Sequence, residues 1–260
     1  NAICQYKSGD IQKEETVQLS LKLYSSNDFE KIDNPYAVFA DGGPMTPDKS
    51  KGMFFGRELF IENIVDAISK CPSKQVIIYG QKRSGKSSVL NYLRNSLMDT
   101  GANFCICFSM GDIIKNISEV SFYYKILDCV KTELDIREIE GELVPQFELP
   151  SLSEFRKEDE DNPVNTFTKY MIKFKVSCSK TSGWENKNLV VMIDEFTYMY
   201  TAIKREQVSD SIMKQWKAVT QNERAQFSVV LVGQDVIPSF KKEDYARNAF
   251  GVIKDIRLTY

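Results

Sequence analysis

The chain of 260 residues contains no histidine. Without an imidazole it can form no Ser-His-Asp triad, no Cys-His pair and no histidine-ligated metal site, so these hydrolase and zinc-enzyme mechanisms are excluded. Its six cysteines include no C-x-x-C pair, which is the spacing that many zinc and redox sites use. Unpaired cysteines of this kind are typical of a reducing compartment, and they predict a cytoplasmic location.

A basic excess and a long apolar run are also missing. Lysine and arginine number 34 against 36 aspartates and glutamates, for a net charge of -2. Nucleic-acid-binding proteins usually carry a basic excess, because neutralised phosphates supply much of their affinity. No apolar run approaches the roughly 20 residues that span a bilayer, and no basic-then-apolar leader is present. We therefore expect no membrane partner and do not favour a nucleic-acid partner.

Short, continuous apolar runs without polar alternation are typical of strands buried on both faces of a sheet. Such runs lie at residues 75–79, 103–108, 189–193 and 228–232, and a last strand is predicted at 252–260. Helical patterns separate them, which predicts an α/β fold with a parallel sheet flanked by helices.

Residues 34–260 are predicted to form this domain, and residues 1–33 an N-terminal segment or the tail of a preceding domain with one strand over 16–24. The acidic stretch 138–165 is interpreted as a solvated insertion loop, with an acidic docking surface as the alternative.

Residues 80–87 match the phosphate-binding motif G-x-x-x-x-G-K-[ST], the Walker A motif or P-loop, between a predicted strand and a predicted helix. Two glycines let backbone N–H groups turn towards phosphates, and the positive end of the helix dipole points to the same anion. Lys86 would reach the β- and γ-phosphates, and the Ser87 hydroxyl would coordinate magnesium. The predicted nucleotide-binding residues of this turn are Gly80, Gln81, Lys82, Arg83, Ser84, Gly85, Lys86, Ser87 and Ser88. ATP, or ADP, and Mg²⁺ are the predicted ligands.

The apolar run 189–193 ends in Asp194 and Glu195, an acidic pair at the carboxyl end of a predicted parallel strand, as in a Walker B motif. We expect Asp194 to hold magnesium together with Ser87, directly or through water. Glu195 can polarise an attacking water as a general base. A nucleotide kinase would not need that second carboxylate, so Glu195 favours hydrolysis.

The run 228–232 is followed by Gly233, Gln234 and Asp235. If this strand lies between the other two, its end presents a polar side chain to the γ-phosphate or the attacking water. Gln234 is the first candidate for this role and Asp235 the second. Gly-Gln-Asp is also common turn chemistry, so a simple exit from the strand is the alternative.

Together these motifs resemble the STAND group of AAA+-related P-loop ATPases, near the archaeal-type and Orc/Cdc6-like branch. Members carry an hhGRE element before the P-loop, and Phe54–Glu58 matches it, although Phe60 stands where an acidic residue is usual. The segment Asn34-Pro35-Tyr36 is similar to the one that leads into these domains.

The resemblance implies that Phe55, Gly56 and Arg57 contact the adenine and ribose; composition alone would make this turn a hydrophobic plug. It also implies Gln234 as a sensor-like residue, and a winged-helix part that is truncated here. A trans-acting arginine finger would be expected before the last strand, where Arg247 is the candidate.

The function implied by the resemblance is a regulatory switch in STAND-like signalling or antiviral defence, with slow, magnesium-dependent ATP hydrolysis. Such a switch would self-associate with nucleotide and act on an effector domain outside this fragment. The alternative is an Orc/Cdc6-like, DNA-associated ATPase, for which Lys204, Arg205, Lys214 and Lys217 form either a basic patch or a solvated helix face. A small-molecule or nucleotide kinase is a third hypothesis, but the sequence shows no evident lid over an acceptor site.

Overall fold

The computed structural model describes residues 2–8, 11–17, 43–50, 54–71, 73–158, 162–250 and 253–258, and the chain divides into two units, Asn1–Ala40 and Asp41–Tyr260. In the first unit, β1 (Ala2–Ser8) and β2 (Ile11–Val17) form an antiparallel hairpin. The strand predicted over 16–24 overlaps β2 at Thr16 and Val17. Residues 18–24 and the Asn34-Pro35-Tyr36 segment lie outside the described residues.

The second unit alternates strands with helices. Its strands are β3 (Gln75–Gly80), β4 (Asn103–Ser109), β5 (Asn188–Asp194), β6 (Ser228–Gly233) and β7 (Lys254–Leu258). Its helices are α1 (Pro47–Ser50), α2 (Glu58–Lys70), α3 (Lys86–Asp99), α4 (Glu119–Ile139), α5 (Leu152–Glu158), α6 (Pro163–Cys178), α7 (Thr197–Lys204), α8 (Ser211–Thr220), α9 (Ile237–Lys242) and α10 (Asp244–Phe250). Short 3-10 turns lie at Met110–Asp112, Ile114–Asn116 and Glu223–Ala225.

The five strands of this unit form one parallel sheet in the order β4-β5-β6-β3-β7. Strand β3 therefore lies between β6 and β7, and Tyr79 near its end has Gly233 and Arg257 as its Cα partners on the two sides. Because parallel strands end at the same edge of a sheet, the segments that follow β3, β4, β5 and β6 meet there. The predicted residues of the turn 80–88, the pair Asp194 and Glu195, and Gln234 follow these strands and lie at this edge.

Both faces of the sheet are buried. Along β3, Val76 and Ile78 pack with α2 and α3, whereas Ile77 packs on the opposite face with α4, α6 and α8. This explains why the strands read as continuous apolar runs, since neither face of the sheet is left to solvent. The predicted α/β architecture, a parallel sheet with helices on both faces, is confirmed.

The stretch 138–165 does not match its interpretation as a solvated loop. Val144, Phe147 and Phe155 are buried in the main core, and the Tyr124 hydroxyl donates to the Pro150 carbonyl oxygen at 2.9 Å. Apolar residues spaced between the acidic ones attach the described part of this stretch to α4 and α6, because their burial is favourable while the carboxylates stay at the surface.

None of the helices in the described part of the chain is long and apolar enough to cross a membrane. This agrees with the sequence, in which charged residues interrupt every apolar run well short of the length of a transmembrane helix.

Candidate nucleotide-binding site

The turn between β3 and α3 has the backbone expected of a phosphate-binding loop. Gly85 (φ 82°) and Arg83 (φ 67°) both adopt left-handed backbone angles, which glycine tolerates and arginine rarely adopts. Gly85 is also the N-cap of α3, so no side chain caps the first N–H groups of the helix, and no acidic residue lies in its first turn. These N–H groups and the positive end of the helix dipole can receive an anion.

Lys86 folds back over this turn. Its Nζ donates to the carbonyl oxygens of Gly80 at 3.1 Å and Gln81 at 2.5 Å. Burial lowers the pKa of Lys86, while the nearby carboxylates of Asp194 and Asp235 act in the opposite direction. The ammonium group is thus held beside the loop, where its charge is less screened than in water.

The glycine at the start of the turn is required by a close approach of strand β7. A Cβ atom on Gly80 would lie 2.4 Å from the Leu258 carbonyl oxygen and 3.3 Å from Ser84 Oγ. Ser84 is buried, which leaves that side chain little room to move. The motif glycine therefore has a packing role in addition to its conformational one.

We expect Gly80→Ala to destabilise the fold by about 2 kcal/mol or more, because β7 or the turn must shift to admit a methyl group. Gly43→Ala is the matched control, since a Cβ there meets nothing within 4 Å. Chemical denaturation followed by circular dichroism measures both changes. Equal unfolding free energies for the two variants would contradict the packing argument.

The two residues predicted to bind magnesium are in direct contact. The Ser87 hydroxyl, in the first turn of α3, donates to Asp194 Oδ2 at the end of β5 at 2.6 Å. Two neighbouring ligands of an octahedral Mg²⁺, each at 2.0–2.1 Å, are about 2.9 Å apart. A hydroxyl and a carboxylate at this spacing fit the ion with little movement.

Glu195 follows directly and adopts an unusual conformation. Its φ of 54° is in the left-handed region, and its N–H donates to Asp194 Oδ1 at 2.7 Å. Its side chain accepts a hydrogen bond from the Ser109 hydroxyl at 2.6 Å, and Ser109 Oγ in turn accepts from the Gly111 N–H at 3.0 Å. A strained backbone held by side-chain contacts is common at functional sites.

Ser109, the last residue of β4, was missed by the sequence reasoning. It is the first polar residue after the apolar run 104–108, which is the same signal that identified Asp194 after the run of β5. The register pairs these two residues as Cα partners, so the ends of both strands lie side by side.

At the end of β6, Gln234 is exposed, and its carbonyl oxygen accepts a turn hydrogen bond from Ile237 N–H at 3.0 Å. Asp235, the second candidate from the sequence, acts with Asp194 to raise the pKa of Lys86 against the effect of burial. Asp235 also pairs with Arg257 on β7 at 3.5 Å. The sensor-like role of Gln234 stays a prediction.

The predicted adenine-contacting segment lies before α2. Phe54 stacks on Tyr92 of α3 with ring centroids 3.7 Å apart, whereas Phe55 is 77% exposed. Gly56 has a φ of 77°, and Arg57 is partly buried at the N-cap of α2. The stacked ring attaches this segment to the P-loop helix and leaves the Phe55 ring available to a ligand.

Two hydrogen bonds attach the segment around Met45 to α3. The Met45 N–H donates to Ser88 Oγ at 2.9 Å, and Asn91 Nδ2 donates to the Met45 carbonyl oxygen at 3.1 Å. The Ser88 side chain is therefore used in the fold, and its backbone N–H is the group available to a phosphate.

Among the other predicted residues, Gln81, Lys82 and Arg83 are exposed in the turn. Arg247 lies on α10, where it pairs with Asp244 at 3.3 Å and remains largely exposed. A role as an arginine finger for a neighbouring molecule stays a prediction.

The parallel sheet and the turn between β3 and α3 are consistent with the fold of a P-loop NTPase. The structure is similar to that of the Aeropyrum pernix ORC2 protein in ADPNP-ADP complexes, with a TM-score of 0.56 and 12% identity over 79% of this chain and 48% of that one. For the ADP form of the same protein, the TM-score is 0.53 and the identity 14%, over 86% and 52% of the two chains. This chain thus spans about half the length of the ORC2 protein, and at this identity the likeness shows the fold. No protein-family model and no curated protein matches the sequence.

Proposed function

We propose that this chain is an ATP-binding AAA+ ATPase that hydrolyses ATP with magnesium at the turn from Gly80 to Ser88. The observation that carries the proposal is the 2.6 Å contact between Ser87 and Asp194. It joins the Walker A-like turn to the acidic pair after β5, although the two residues are 107 positions apart in the chain. Nucleotides present in the ORC2 structures, ADPNP and ADP, support nucleotide binding at the equivalent fold.

The described residues include candidates for phosphate binding, for magnesium binding and for a general base. The amides at the start of α3 and the Lys86 ammonium would hold the phosphates, and Ser87 with Asp194 would hold Mg²⁺. When bound, the ion neutralises charge on the β- and γ-phosphate oxygens. Glu195 would accept a proton from the attacking water, and Ser109 holds the carboxylate at one position.

Removing either proposed magnesium ligand tests this assignment. We expect Ser87→Ala and Asp194→Asn each to raise the magnesium concentration needed for ATP binding by at least about tenfold, because Mg²⁺ depends on few protein oxygens. A fluorescent ATP analogue titrated at several magnesium concentrations measures the change. Asp99→Asn at the far end of α3 is the matched control. An unchanged magnesium dependence in both site variants would refute the metal site.

Between the two biological roles, the fold likeness to ORC2 supports the Orc/Cdc6-like, DNA-associated alternative better than STAND-type signalling or defence. Of the basic residues offered for DNA, Lys204, Arg205 and Lys214 are exposed, and Lys204 forms an ion pair with Glu243 at 2.7 Å. Salt-sensitive stimulation of ATP hydrolysis by duplex DNA is the expected result. Nucleotide-dependent self-association without any effect of DNA would instead favour the regulatory switch.

A further inference from the structure

An ion pair spans the base of the P-loop. Strand β3 ends between β6 and β7, and Tyr79 has Gly233 and Arg257 as its Cα partners on the two sides. Asp235 lies two residues beyond Gly233, and its Oδ1 is 3.5 Å from Arg257 Nε. The pair thus connects the two strands that flank β3 at the point where the phosphate-binding turn begins.

Strand β7 is in close contact with the turn itself. Leu258, the residue after Arg257, is the Cα partner of Gly80, and its carbonyl oxygen lies where a side chain on Gly80 would be. Lys86 donates to the carbonyl oxygen of the same glycine. Arg257 is therefore next in the chain to Leu258, the residue that pairs with Gly80, and the Gly80 carbonyl oxygen holds the Lys86 ammonium.

Asp235 acts on two cations at this place. Besides pairing with Arg257, its carboxylate works against the burial that lowers the pKa of Lys86. The register of β3 and β6 places Asp235 two residues beyond the partner of Tyr79, where the phosphate-binding turn begins. A carboxylate at this place would repel a polyphosphate, and would repel ATP more than ADP because ATP has an additional charged phosphate. A neutralising partner for Asp235 removes this conflict.

The pair contributes little to the stability of the fold. The side chains of Arg257 and Asp235 are 57% and 37% exposed, and ion pairs with this exposure contribute little to stability because solvent screens them. Its principal effect is on the electrostatic potential at the site, so variants can be compared without unfolding the protein.

We propose that Arg257 is a positioning residue of the nucleotide site: by pairing with Asp235 it neutralises a carboxylate that would otherwise repel the terminal phosphate, and it thereby sets the preference for ATP over ADP. This inference rests on the proposed nucleotide binding and deepens it.

The test is a double-mutant cycle read by equilibrium binding of ATP and ADP. We expect Arg257→Gln to weaken ATP binding by about fivefold and ADP binding by about twofold, with smaller effects at high salt. Asp235→Asn should bind ATP at least as tightly as the wild type. Adding Arg257→Gln to Asp235→Asn should then change little, because the arginine acts through the carboxylate.

Lys241→Gln is the matched control, since it removes the same charge from another pair that attaches β7, at 2.7 Å to Asp255. The inference is overturned if Arg257→Gln has the same effect on ATP binding as this control. It is also overturned if Arg257→Gln weakens ATP binding equally with and without the Asp235 carboxylate. In both cases the proposed nucleotide binding stands. If the wild type binds neither nucleotide, the proposed function fails and the inference with it.

Discussion

Lys86→Ala is expected to weaken ATP binding by roughly 10- to 150-fold, because it removes a charge-assisted hydrogen bond to the phosphates, worth about 1.5–3 kcal/mol. The side chain is already held at the turn, with Nζ donating to the Gly80 and Gln81 carbonyl oxygens. Little binding free energy is therefore spent on ordering it. Isothermal titration with Mg-ATP measures the loss.

Without nucleotide, the same variant should unfold at nearly the wild-type temperature. Burial opposes the charge on Lys86, so its removal relieves a desolvation cost that offsets the two lost hydrogen bonds. Thermal unfolding with and without Mg-ATP separates the two effects, because a ligand stabilises only the protein that binds it. The exposed Lys180, in the turn after α6, provides the control Lys180→Ala. Full stabilisation of Lys86→Ala by Mg-ATP would refute the assignment of the P-loop.

The architecture, the glycine-rich turn 80–87 and the acidic pair Asp194 and Glu195 could be predicted from the sequence because their signals are local. A strand buried on both faces reads as an uninterrupted apolar run, as in 189–193, and the residue after the run lies at the ligand-binding edge of the sheet. The contact between Ser87 and Asp194 then follows from the fold, although the two residues are far apart in the chain.

Features that depend on non-local pairing were not predictable in the same way. Arg257 could not be linked to Asp235, because the order β6-β3-β7 and the register of β7 are tertiary properties. The bonds of Met45 to α3 involve its backbone and so leave no side-chain pattern. The pairing of β1 with β2 did have a local signal that was overlooked, because a Gly-Asp dipeptide, as at Gly9-Asp10, between two strand-like runs favours a hairpin.

The residues that follow β6 show a further limit of prediction from the sequence. Gln234 and Asp235 are adjacent polar residues of a turn, and the sequence favours neither through periodicity once the strand has ended. In the structure, the Gln234 carbonyl oxygen accepts a turn hydrogen bond from the Ile237 N–H, and the Asp235 carboxylate pairs with Arg257. These contacts depend on the tertiary fold, which the local composition does not encode.

Glu195→Gln is expected to retain ATP binding and to slow hydrolysis by about 10²–10⁴-fold, because the amide has the size of the carboxylate but cannot accept the proton of the attacking water. The Ser109 hydroxyl can donate to the amide oxygen as it does to the carboxylate, so the side chain should keep its position. The unusual backbone at this residue is also preserved, since neither side chain branches at Cβ.

Single-turnover hydrolysis together with equilibrium ATP binding checks this expectation. Glu206→Gln is a close control, because Glu206 is exposed and has a similar left-handed φ of 58°. If Glu195→Gln hydrolyses ATP at the rate of Glu206→Gln, Glu195 is excluded as the general base. The proposed nucleotide binding would then stand without a catalytic role for Glu195. Loss of both binding and hydrolysis would instead place the carboxylate in the binding of ATP or its ion, since a proton acceptor acts only after the substrate is bound.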